Sequence, residues 1–298
     1  MRVSPYLLLV LTTLFWSGNF VLARLTHADI PPLALSFFRW AGALLLVLPF
    51  AWGPLRRQWR VLLAHRRLVL ALGILGVANF NSFVYLGLQH TTATNAVLIN
   101  STLPLLILGI AWLFQRAPVT PGQWLGVLLS LLGVAVIVLN GRPEGIGVLD
   151  VNRGDLWVLA AVCSWACYSV LLKRRPAQLE PLALLSATIL VGAFAVLPFW
   201  LWEHLQVRPM HWSQTSALMV IYAAIFPSTL AYFFWNKAVA EVGAATAGQF
   251  IHLMPLFGSG LAVLLLDEQP GWPHLAGALF ILGGIVLAEA KRTGRRSS

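Results

Sequence analysis

Ser228, Tyr232 and Asn236 stand at i, i+4 and i+8, so a helix would set their hydroxyl and amide groups in one stripe. Asn81 and Tyr85 make the same i, i+4 pair earlier in the chain, and Thr246, Gln249 and His252 follow i, i+3, i+6. All of them lie in runs as apolar as a lipid-spanning segment. A buried amide or hydroxyl costs free energy unless it finds a partner, so these stripes must face other protein or a wet interior. The chemistry on offer is hydrogen bonding to a small polar guest. Arg39 is a charge set within an apolar run, about eight residues or roughly 12 Å from its end at 1.5 Å per residue. It could receive a carboxylate by a two-point contact, or serve helix carbonyls as a structural partner. His252, the only histidine in the middle of such a run, could bond a guest or take up a proton.

Other residues join this set. The stretch Asn79–Pro104 reads as a helical hairpin with a polar turn at Gln89–Thr94, and it carries Asn79, Asn95, Asn100 and Ser101. Trp16 and Asn19 in the first run, and Trp165 and Tyr168 in the sixth, add an aromatic lining. The candidate cavity is therefore Trp16, Asn19, Arg39, Asn79, Asn81, Tyr85, Asn95, Ser101, Trp165, Tyr168, Ser228, Tyr232, Asn236, Gln249 and His252. The alternative for each member is hydrogen-bond glue between helices. An apolar pocket with a few polar groups suits an aromatic or aliphatic amino acid. Pro104, Pro227 and Pro255 interrupt helices and are candidate hinges. Gly122, Gly126 and Ser130 have the small-xxx-small spacing of close helix contact. A nucleophile–base motif, a metal-ligand cluster and a Gly-rich phosphate loop are all missing, so no catalysis, cofactor or bound metal is expected.

The elements that must position these groups follow from composition. The chain has 298 residues, 59% hydrophobic and 10% charged, against about 25% charged in soluble domains. Spans need ~20 apolar residues, and ten runs qualify: 5–24, 31–51, 68–89, 94–115, 121–140, 155–173, 181–202, 214–238, 244–266 and 272–290. The first has Arg2 ahead of it but no small-residue cleavage site after it, and it matches a later run, so it reads as a span rather than a leader. Cys163 and Cys167 share one span and read as packing residues. A net charge of +10 could suggest nucleic acid, but its distribution sets topology instead. Arg56, Arg57, Arg60, Arg66, Arg67, Arg116, Lys173, Arg174, Arg175 and the tail residues fall on one side; Arg24, Arg142, Arg153 and Arg208 fall on the other. That bias puts both termini in the cytoplasm. The ten acids lie at span ends or in loops, which disfavours a pump exchanging protons for cationic drugs through a buried carboxylate.

The chain also repeats. PLAL at 32–35 recurs at 181–184 and LPF at 48–50 recurs at 197–199, both 149 residues on; Trp16 then falls on Trp165. Further along the offset is 151, bringing Pro104 onto Pro255, Gly126 onto Gly277 and Gly133 onto Gly284. The expected units are 1–141 and 154–290, joined by an external loop at 142–153 and followed by a basic tail at 291–298. Five spans per unit is odd, so the second copy should lie inverted, a common basis of alternating access. At offset 151 Asn81 maps to Tyr232 and Tyr85 to Asn236, which implies a cavity between spans three, four, eight and nine.

Two five-span repeats, a Trp in the first span, PLAL starts to spans two and seven, and a Pro within spans four and nine resemble the EamA-type carriers of the drug/metabolite transporter superfamily. Within it the chain is most similar to bacterial inner-membrane exporters of aromatic amino acids. The resemblance covers nearly the whole chain. It implies an all-α polytopic fold of ten helices, with spans one to four and six to nine around a central cavity and spans five and ten at the periphery. The chain departs from the family where an acid often follows span four: Gln115–Arg116 stands there, while the second copy keeps Asp267–Glu268. The function expected is export of neutral hydrophobic or aromatic amino acids by alternating access, with facilitated movement down a gradient as one driving mode. The protein should act as a monomer among membrane lipid, without nucleic acid. A broader drug or metabolite carrier and a membrane-embedded lipid enzyme are the alternatives.

Overall fold

In lipid a backbone must satisfy its own polar groups, and long apolar runs with few Gly or Pro do so as helices. The computed structural model of the chain describes residues 3–26, 29–91, 93–116, 120–139, 152–266 and 271–293, and it is helical throughout, with no strand among them. In order the helices are α1 (Pro5–Thr26), α2 (Pro32–Ala64), α3 (Arg66–Leu72), α4 (Phe80–Gly87), α5 (Ala93–Asn100), α6 (Leu103–Gln115) and α7 (Pro121–Val138). The second half holds α8 (Arg153–Leu171), α9 (Pro181–Gln206), α10 (Gln214–Ala223), α11 (Ala231–Val242), α12 (Ala244–Gln249), α13 (Leu253–Leu266) and α14 (Trp272–Thr293). Taken as continuous spans, eight of the described helices are long and apolar enough to cross a membrane. The chain is a multi-pass membrane protein.

Helix starts carry local signals. Pro32, Pro121 and Pro181 open α2, α7 and α9, where the missing N–H costs nothing. Thr120 with Gln123, Asn152 with Asp155 and Ser213 with Ser216 form capping boxes at α7, α8 and α10.

Three features differ from the expected spans. Run 94–115 is two helices, α5 and α6, parted by a turn at Ser101–Thr102. Run 244–266 is likewise α12 and α13, with a 3₁₀ turn over Phe250–His252 between them. Pro104 and Pro255 lie just beyond these breaks. Each lacks an N–H and crowds the carbonyl four residues back, so the preceding turn loosens instead of the helix bending at the ring. The third difference is α2, which runs on past residue 51 to Ala64, through Pro49 and Pro54. Its extension is rich in Arg and Leu, good helix formers, and it is tied to the start of α9. Gln58 Nε2 donates to the Gln178 carbonyl at 2.9 Å, the Glu180 N–H donates to Gln58 Oε1 at 2.8 Å, and Arg57 pairs with Glu180 at 3.2 Å.

Helices α2 and α9 are antiparallel, because the opposite end of the pair is clasped too. Glu203, near the end of α9, accepts the Ala34 N–H at 2.8 Å and the Leu33 N–H at 3.2 Å. Its carboxylate thus serves two of the orphan donors of the first turn of α2. Helices α7 and α14 pack through glycines, also antiparallel: Gly126 lies against Gly284 and Ala288, and Gly133 against Gly277. A methyl group at Gly126 would strike the Gly284 carbonyl, so this close approach depends on small residues. Ser130 Oγ donates to the Ile281 carbonyl at 3.1 Å across the same seam.

Two segments are π-helical, Gly73–Asn79 between α3 and α4 and Ala224–Leu230 between α10 and α11. Their ends are each 151 residues apart, the offset of the sequence repeat. Such bulges leave backbone carbonyls short of their usual donors and often mark functional positions. Residues 142–151 of the connecting loop, most of the basic tail and Asp267–Glu268 lie outside the described residues.

Candidate functional site

Helix α2 brings Arg39 to the middle of the bundle, where its side chain is 1% exposed. Nε donates to Ser228 Oγ at 2.7 Å, in the second π segment. Nη1 donates to Tyr85 Oη at 2.6 Å and Asn81 Oδ1 at 2.9 Å on α4, with Asn19 Oδ1 of α1 at 3.4 Å. The guanidinium carbon lies 5.2 Å from the centre of the Trp40 ring, within range of a cation–π contact. None of the partners is a carboxylate, and Nη2 has no hydrogen-bond partner among the described residues. A charge held in an apolar bundle by neutral dipoles alone is costly and attracts an anion.

Around Arg39 the repeat becomes geometry. The Asn19 amide lies 3.1 and 3.2 Å from Tyr85 Oη. In the second copy the counterparts of Asn19 and Tyr85 are Tyr168 and Asn236, and Tyr168 Oη donates to Asn236 Oδ1 at 2.5 Å. The same bond is built twice with the residue types exchanged. Arg39 has no such twin: the residue 149 further on is Thr188, whose hydroxyl bonds its own helix at Leu185. The positive charge therefore sits in one copy only.

Beside it lies an aromatic cluster centred on Tyr232. Trp40 meets the Tyr232 ring edge-on at 4.8 Å, and Trp165 does so at 5.1 Å. Trp16 and Trp165, the repeated tryptophans, touch edge-to-face at 5.0 Å, and Tyr168 lies 4.9 Å from Trp165. Such edge-on pairs are favoured by the ring quadrupoles. The π segments supply acceptors: Trp16 Nε1 donates to the Pro227 carbonyl at 3.0 Å and Tyr232 Oη donates to the Gly76 carbonyl. Gly76 also clears the Tyr168 ring, which a methyl there would strike. The indole N–H groups of Trp40, Trp165 and Trp235 are buried without partners among the described residues. Together with Arg39 Nη2 they make a centre rich in free donors.

The stripe Ser228, Tyr232 and Asn236 thus has three separate partners, namely Arg39, Asn81 with Gly76, and Tyr168. Asn79 is half-buried at the end of its π segment and makes no side-chain hydrogen bond among the described residues. Ser101, Gln249 and His252 gather at the paired helix breaks, away from Arg39's contacts. The Asn95 side chain lies outside the described residues. Of the proline candidates, Pro227 sits inside the second π segment, and Pro104 and Pro255 flank the breaks. Trp40 and Glu203 were not among the sequence candidates. Trp40 could have been found as the neighbour of a buried arginine. Glu203 shows no local pattern, since its partners are 169 and 170 residues away.

The EamA-like transporter family model matches the chain twice, over residues 3–139 and 152–289. An uncharacterized transporter of Bacillus subtilis, YyaM, is 27% identical, covering 97% of this chain and 94% of its own. A probable amino-acid metabolite efflux pump of Salmonella typhimurium is 26% identical over 97% of both chains. A crystal structure 21% identical superposes with a TM-score of 0.76 over 97% of this chain and 98% of that one, which supports the fold. Two matched stretches spanning nearly all of an all-helical, membrane-spanning chain lead to one conclusion: the chain belongs to the EamA-like transporter family.

Proposed function

We propose that this transporter exports amino acids with neutral hydrophobic or aromatic side chains across the bacterial inner membrane. The observation that carries the reading is Arg39, a buried cation that among the described residues has no acid partner and no bond at Nη2, set against an aromatic cluster. A carboxylate would neutralise the charge through a short, charge-assisted bond. An aromatic or aliphatic side chain would lie among Trp16, Trp165, Tyr168 and Tyr232. The Salmonella relative, a probable amino-acid metabolite efflux pump, supports the amino-acid part of this reading.

In this reading the chain crosses the membrane ten times with both termini in the cytoplasm. Units 1–141 and 154–290 are inverted copies, each exposing the site to one side in turn. The antiparallel, reciprocal seams of α2 with α9 and α7 with α14 support that arrangement. The breaks and π segments, with Pro104, Pro227 and Pro255, are where the helices would bend. The protein works as a monomer, and flux down a gradient needs no further energy source. The test is counterflow in liposomes holding purified protein and labelled phenylalanine, tryptophan, threonine or methionine. Exchange of one or more is expected; failure of all four to cross would remove the amino-acid assignment. Exchange of many unrelated drugs at equal rates would favour the broader carrier.

A further inference from the structure

We infer that the paired helix breaks form a proton-binding site, with His252 Nδ1 as the atom that takes the proton. His252 and Ser101 are repeat counterparts, 151 residues apart, and His252 Nε2 lies 2.9 Å from the Ser101 carbonyl. A carbonyl can only accept, so Nε2 carries the hydrogen and the neutral ring presents Nδ1 as a bare lone pair. That nitrogen is buried and unpartnered among the described residues. So are both amide atoms of Gln249, one turn earlier at 1% exposure, and Oδ1 of Asn100, the residue before Ser101. Buried polar atoms are nearly always satisfied. Four unsatisfied ones at one pair of breaks, most of them acceptors, leave room for something that donates.

Burying a charge is costly, and two features here offset part of that cost. Helix α5 ends at Asn100 and α12 at Gln249, so two C-terminal, partly negative helix ends converge there. Pro104 and Pro255 have no N–H to offer the carbonyls four residues back, at Asn100 and Ile251. Broken helices with free carbonyls are the sites where membrane carriers hold protons or small cations. A hard cation such as Mg²⁺ or Ca²⁺ is the poorer guest, because no carboxylate stands among these groups and the site offers an imidazole nitrogen rather than a full oxygen cage, and the described residues hold no cluster of three His, Cys, Asp or Glu for a softer metal. A proton needs one lone pair. It would arrive from water when the bundle opens and bind at Nδ1, and the N–H⁺ so formed would draw Gln249 Oε1 or Asn100 Oδ1, neither of which bonds Nδ1 in this arrangement, toward it.

Among the described residues packed on His252, no carboxylate or amine competes for it. Of the elements packed on His252, α5, α6, α7, α12 and α13 carry no titratable residue. Helix α1 carries Tyr6, whose ring lies 5.9 Å from that of Phe250, and Arg24 near its opposite end.

The test is nitrogen NMR on ¹⁵N-histidine-labelled protein in lipid nanodiscs, using a variant with the six other histidines replaced so that only His252 reports. The expected signal is an Nε2–H ring whose Nδ1 moves from the bare to the protonated position as pH falls. An Nδ1 that stays bare wherever the protein is folded, or a ring protonated at Nδ1 and bare at Nε2, would overturn the site. In a Gln249→Leu background the protonated form loses an acceptor, so the midpoint should fall by about one pH unit; an unmoved midpoint removes Gln249 from it. Any coupling of this proton to flux rests on the amino-acid reading. A His252 that titrates in a protein moving no amino acid would sink that reading and leave the proton site standing.

Discussion

Asn81 and Tyr232 are counterparts in the two copies of the repeat, 151 residues apart, and they are hydrogen-bonded to each other, Nδ2 to Oη at 3.3 Å. The same self-pairing recurs at Ser101 with His252 and at Ser130 with Ile281. Trp16 and Trp165 touch in the same way at offset 149. Four contacts therefore join the two copies at matching positions. Trp16 and Trp165 belong to the aromatic cluster, so matching residues of the two copies meet within the candidate site.

Glu203 should be a stability residue more than a transport residue. Its carboxylate caps the first turn of α2, and removal leaves two buried N–H groups without partners. Glu203→Ala is expected to cost about 1–3 kcal/mol and to lower the melting temperature in detergent. Glu203→Gln should recover part of it through the remaining carbonyl. A melting curve unchanged in Glu203→Ala would show that the cap contributes nothing.

Much of this was legible in the sequence. Apolar run length gave an all-helical chain of many spans, eight of whose described helices are long enough to cross a membrane, and shared residues at offsets 149 and 151 gave the two matched halves. Asn81, Tyr85 and Ser228 were marked by type and spacing, and all three bind Arg39. The helix breaks were not legible, because a proline disturbs the turn before it and the eye stops at the ring. Nor were the π segments, since Gly73–Asn79 differs from an α-helix by no residue that forbids one. The caps of Glu203 and Gln58 join points more than a hundred residues apart, which no local pattern reports.

Topology can be read by thiol labelling in a background lacking Cys163 and Cys167. Arg60 near the end of α2 and Val207 just after α9 are both exposed. Arg60→Cys should react from the cytoplasmic face and Val207→Cys from the opposite face, as inverted copies require. Labelling of both from one face would exclude the inversion.

Trp165 packs against Trp16, Phe80, Tyr168, Tyr232 and Trp235, so it is the ring with most to lose. Trp165→Ala should lower exchange of phenylalanine and tryptophan more than that of threonine, by roughly tenfold for about 1.4 kcal/mol of lost aromatic contact. Counterflow with the three substrates in parallel checks it. An equal loss for all three would mean that the ring holds the bundle together and does not select the side chain.

The grip of Arg39 on a carboxylate is best measured by competition. Phenylalanine and phenethylamine share a ring and an amine and differ in the carboxylate. In liposomes with wild-type protein, unlabelled phenylalanine should inhibit labelled phenylalanine exchange, and phenethylamine should be weaker by roughly ten- to hundredfold, the worth of a charge-assisted bond of about 1.5–3 kcal/mol. In Arg39→Gln the gap between the two inhibitors should close. Equal inhibition by both compounds in the wild-type protein would contradict a carboxylate held at Arg39.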